Sequence, residues 1–189
     1  MNPLLDAFPT AVRMQGRIYP INADFRNCLR IMLAFEDDGL MPHEKQEVML
    51  QLLYKERPPD DMEACRKAVL FLDCGETTDD GAGEPGPRLY SFTKDAKYIY
   101  SAIRQTHGVD LETVDFLHWW KFCWMFLDLR EDTTFQVMVS LRRKRAEGKL
   151  TKEERTLWYR MEHVLELPQP MDPDRAAAEA AFQKAMGLA

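Results

Sequence analysis

The sequence predicts an all-α protein, a mostly helical bundle of about seven helices, with a short N-terminal β-hairpin. Three observations carry that prediction. Apolar residues recur at intervals of three and four through most of the chain, the period of a helix with one buried face. Pairs in capping-box spacing, Asp60 with Glu63, Thr133 with Gln136 and Thr151 with Glu154, stand at the head of three of those runs. Strand-like alternation is confined to the first twenty or so positions.

Taken in order, "AVRMQGRIYPI" alternates apolar Val12, Met14, Ile18 and Tyr19 around Gln15-Gly16, a tight turn. Asn22 or Asp24 caps a helix in which Phe25, Cys28, Leu29, Met32 and Phe35 form the apolar stripe, ended by Gly39. Pro42 opens a second helix, with Val48, Met49, Leu52 and Leu53 inward. A third starts at Asp60, with Met62, Cys65, Val69 and Leu72 inward.

From Asp73 to Pro87 the pattern breaks. "DCGETTDDGAGEPGP" holds four glycines, two prolines and five acids without a large apolar side chain, too little to offset the entropy of ordering it. Residues 74–87 therefore read as a mobile acidic loop; the alternating carboxylates of a calcium loop are missing. Helices resume near Ser91, with Phe92, Ala96, Ile99 and Ile103 on one face, and stop at Gly108. Asp110 is expected to open a tryptophan-rich helix, Thr133 the next, and Thr151 a last core helix with Leu157, Trp158, Met161, Val164 and Leu165 inward. Pro168, Pro170 and Pro173 then detach a C-terminal tail, 168–189, that is flexible or becomes helical on binding, leaving 1–167 as a single helical domain.

Composition narrows the class. With 46% hydrophobic and 30% charged residues the chain is an ordinary globular one, and a net charge of -6 argues against nucleic acid as the partner of the whole surface. No basic region followed by an apolar stretch opens the sequence, which points to the cytoplasm, with Cys28, Cys65, Cys74 and Cys123 as reduced thiols.

"FLHWWKFCWMFLDL", residues 116–129, leaves only His118, Lys121 and Asp128 polar. It is shorter than the roughly twenty residues of a membrane span and is not basic enough for a base-stacking platform. A helix apolar nearly all round is the buried centre of a bundle, or that centre plus a subunit interface in a homo-oligomer. Trp120 and Trp124 are expected to be buried, with Trp119 the residue best placed for exposure at an interface. His118 reads as a buried histidine satisfied by a backbone carbonyl.

Catalytic motifs are missing: no GxSxG, phosphate-cradling glycine loop, HExxH or dinucleotide fingerprint occurs, so neither an enzyme nor a cofactor or metal site is expected. Residues 142–160 hold eight basic and three acidic side chains, +5, so the rest of the chain carries -11. That run is either a solvated helix end or a positive patch for an acidic partner or nucleic acid.

Three segments carry a family resemblance. Tyr19, Ile21, Asn22, Asp24, Phe25 and Arg26 fit a Tyr-x-Ile-Asn-x-Asp-Phe-Arg stretch; Asp95, Ala96, Tyr98, Ile99, Tyr100 and Ala102 fit an Asp-Ala-x-Tyr-Ile-Tyr-x-Ala helix; Leu117 to Phe122 fit Leu-His-Trp-Trp-Lys-Phe. Across roughly residues 8 to 167 the chain resembles a bacteriophage and prophage family known as gene-product-fifteen. The resemblance implies a tail-module protein similar to tail assembly chaperones, which bind and solubilise the tape-measure protein before the tail tube forms around it. It carries over no active site. Such a client is a long helix with apolar stripes, and surplus aromatics with eleven methionines suit an adaptable surface that covers them. The expected partner-binding residues are Trp119, Phe122 and Phe126, rimmed by Arg142, Arg143, Lys144 and Arg145. The alternatives are a structural minor tail or connector protein and a nucleic-acid-binding regulator using residues 142–160.

Overall fold

A computed structural model describes residues 2–76 and 86–168. Most of the expected acidic loop at 74–87 and nearly all of the tail at 168–189 lie outside the described residues. Within them the fold is eight helices and one two-stranded antiparallel hairpin.

In the hairpin, β1 (Ala11–Met14) pairs with β2 (Arg17–Pro20), Val12 opposite Tyr19 and Met14 opposite Arg17. Gln15 and Gly16 both adopt positive φ, 47° and 79°, as a two-residue turn that follows the strand twist requires. Met14 and Tyr19 are buried, but Ile18 shares the solvent face with Arg13 and is 56% exposed.

Helix α1 (Phe25–Glu36) is capped by the Asp24 carboxylate, which accepts from the Arg26 N–H at 3.0 Å. It buries Phe25, Cys28 and Ile31, while the expected Phe35 is exposed. Helix α2 (Pro42–Leu53) starts with proline at its first position, and the Glu44 carboxylate accepts from the Met41 N–H. Helix α3 (Asp61–Leu72) is capped by Asp60 and buries Leu72, with Cys65 half-buried, as expected. The rest of its inner face, however, is Ala64, Ala68 and Phe71, and the expected Met62 and Val69 are exposed. The reason is close approach. Small alanines let the backbone come near enough for the Tyr54 hydroxyl to donate to the Ala64 carbonyl at 2.9 Å, which a methionine or valine face would prevent.

Helix α4 (Ala96–His107) begins five residues later than expected from Ser91 and ends at Gly108 with φ 68°. Before it, the Ser91 hydroxyl accepts from the N–H groups of Thr93 and Lys94. Helix α5 (Trp119–Leu127) starts far beyond Asp110. The chain between is held non-helical because the Arg26 guanidinium takes the carbonyls of Leu111 and Val114 at 2.8 and 2.6 Å. Helix α6 (Thr134–Ala146) is capped by Thr133. The expected last helix is two, α7 (Lys152–Arg160), with the Thr151–Glu154 capping box intact, and α8 (Glu162–Leu165), broken at Met161.

The main core joins the hairpin, α1, α2, α3, α4, α5 and the start of α6. A smaller core of Met138, Leu141, Trp158 and Leu165 joins α6, α7 and α8. Tyr98 of α4 packs against both. Among the described residues no helix is long and apolar enough to cross a membrane.

Candidate functional site

Two of the three segments singled out in the sequence, residues 19–26 and 117–122, are hydrogen-bonded to each other. The Trp119 N–H donates to the Ala23 carbonyl and the Phe25 N–H to the Leu117 carbonyl, both at 2.8 Å. On the other side the Asn22 and Asn27 side-chain amides donate to the Leu52 carbonyl at the end of α2, at 2.9 and 2.6 Å. Residues 19–26 thus clamp the start of α5 to the end of α2.

His118 caps α5. Its Nδ1 accepts from the Trp120 N–H at 3.1 Å, so Nε2 carries the proton and donates to the Pro9 carbonyl at 2.9 Å. Burial pushes its pKa below the ordinary histidine value, because a charged ring would be desolvated. A protonated Nδ1 would also lose the cap. The histidine is a buried, carbonyl-satisfied one, as its apolar flanks suggest.

Both leading indoles point at the end of α3. Trp119 donates to the Leu72 carbonyl at 2.8 Å and Trp120 to the Phe71 carbonyl at 2.7 Å. Gly75, at φ 80°, lies against the Trp120 ring; a Cβ there would sit 3.1 Å from it. Trp120 is buried as expected. Trp119, expected at an interface, is only 3% exposed, because its ring must enter the core to reach that carbonyl. Trp124 is half-buried instead, edge-on to Phe8 at 5.3 Å.

What this arrangement leaves open is a cleft of about 310 Å³ between α5, the end of α3 and residues 90–92. Trp119 and Phe122 are its floor, stacked with centroids 5.6 Å apart. Phe126 is a wall, packed against Tyr90 at 5.1 Å and Phe92 at 5.6 Å, and Leu127, 76% exposed, forms the lip. A smaller hollow of about 100 Å³, lined by Leu29, Leu33 and Leu111, shares Phe92 and Phe122 with it. The larger of the two is a mainly apolar furrow.

Cys74 and Cys123 also line the cleft. Their mutual interaction lowers the Cys74 pKa and raises that of Cys123, while burial raises that of Cys28. Among the described residues no group of carboxylate, histidine and cysteine side chains could hold a metal ion.

The expected basic rim lies elsewhere, since none of Arg142, Arg143, Lys144 and Arg145 lines this cleft. Arg142 is 5% exposed and grips Asp95 with two bonds, 2.6 and 2.9 Å. Its remaining N–H groups donate to the carbonyls of Leu89, Val164 and Leu165. It is a buried strut, not a rim. Lys144 pairs with Glu154, and Arg145 lies 4.2 Å over the Trp158 ring and pairs with Glu166. Arg143 lines a separate hollow with Val137 and Gln136. The charged groups that do border the cleft are Asp73 and Glu76. Burial and the nearby Glu76 charge raise the Asp73 pKa above the usual carboxylate value.

Of the seven residues expected to bind a partner, Trp119, Phe122 and Phe126 meet in one cleft, the first two as its floor. Sequence reasoning missed Leu127, on α5 itself, and Met32, Tyr90, Phe92 and Cys74, which come from separate segments with no shared period.

Residues 4–167 match the family model described as bacteriophage Gp15 protein. No curated protein and no solved structure matches the chain.

Proposed function

Because the chain belongs to the bacteriophage Gp15 family, we propose that it acts as a tail assembly chaperone, binding the tape-measure protein in the host cell and keeping it soluble. It works by binding, without a chemical step. The observation that supports this reading is the aromatic cleft with its side hollow. An amphipathic helix docks by setting apolar side chains at helical spacing into such a furrow, and methionine, cysteine and half-buried aromatic walls can adjust to many sequences along a long client. Covering those stripes removes the apolar surface through which an unpartnered tape-measure helix would aggregate.

Co-expression with the tape-measure protein of the same phage tests the proposal. The parent chain brings that protein into the soluble fraction. Leu127→Asp, a change at an exposed lip position, abolishes most of the effect, while Arg143→Glu, away from the cleft, leaves it intact. Failure of the parent to solubilise the client overturns the proposal.

A further inference from the structure

We infer that the cleft selects an apolar helical segment carrying a lysine or arginine beside its stripe, an inference that rests on the cleft being the client site. The floor and walls recognise only apolar bulk; the charge beside them sets the sign of what flanks it. Asp73, at the C-terminal cap of α3, and Glu76 border the cleft, and neither has an ion-pair partner among the described residues. No lysine or arginine is among the residues lining it. The last turn of α3 carries no base, so the negative end of the helix adds to the two carboxylates. A cation brought by the occupant therefore meets two carboxylates that no lysine or arginine among the described residues pairs with. An acidic flank, which a basic rim would have favoured, meets like charge instead.

Two synthetic helical peptides with the same leucine and phenylalanine stripe, one flanked by lysines and the other by glutamates, test this against the full chain. Peptide anisotropy at low salt shows the lysine peptide binding about five- to tenfold more tightly, a gap that closes at high salt as surface charges are screened. Asp73→Asn with Glu76→Gln removes the preference, and Asp73→Lys with Glu76→Lys inverts it; both positions are exposed, so the fold is kept. Equal affinities, a tighter glutamate peptide, or no binding of either peptide overturns the inference. Solubilised tape-measure protein together with equal peptide affinities leaves the proposed function standing without charge selection. A lysine preference without solubilisation keeps the cleft's chemistry and removes the client.

Discussion

Arg142 spends all five of its N–H groups inside the protein, two on Asp95 and three on backbone carbonyls. Asp95 is fully buried and also accepts from the Ser91 N–H at 3.0 Å. One side chain therefore ties the approach to α4 and the end of α8 to α6. Removing one partner of such a pair strands the other charge away from water. Arg142→Ala is expected to cost about 3–5 kcal/mol, read as a lowered urea midpoint, whereas replacing Arg142 and Asp95 together by leucine costs less than either single loss. In the sequence Arg142 is one of four consecutive bases and cannot be told from Arg143 beside it. What separates them is a carboxylate 47 positions earlier, and no local pattern encodes that.

Between residue and fold, the seam of α3 with α5 depends on backbone geometry as much as on side chains. The turn after α3 takes Gly75 to positive φ so that the chain can pass over the Trp120 ring. Gly75→Ala places a Cβ against that ring and demands a left-handed backbone from a residue that resists it. The expected loss is about 1–3 kcal/mol in thermal or urea unfolding, with a blue- or red-shifted tryptophan emission as the ring moves. At this scale local chemistry was readable: the Gln15-Gly16 turn, the Asp60, Thr133 and Thr151 caps and the Gly108 stop all stand where sequence rules put them. Distant contacts were not. The late start of α5 depends on an arginine 88 residues away, and the face buried by α3 depends on how closely Tyr54 must approach.

For the molecule as a whole, two cores share α4 and α6, and the apolar furrow opens on the larger one. The tryptophan run pointed to this core, and Trp119, Phe122 and Phe126 do lie at the cleft. Its other walls come from α1, the end of α3 and residues 90–92, which only the fold brings together. The basic run at 142–160, prominent in the sequence, is in part internally paired: Arg142 is buried, and Lys144, Arg145 and Lys149 have acidic partners. Under the proposed function the client rests on the furrow and not on that run. A photo-crosslinking side chain placed at Leu127 or at Arg143, with the tape-measure protein co-expressed, distinguishes the two. Crosslinks to the tape-measure protein from position 127 and none from position 143 are the predicted result; crosslinks from 143 with none from 127 would contradict it.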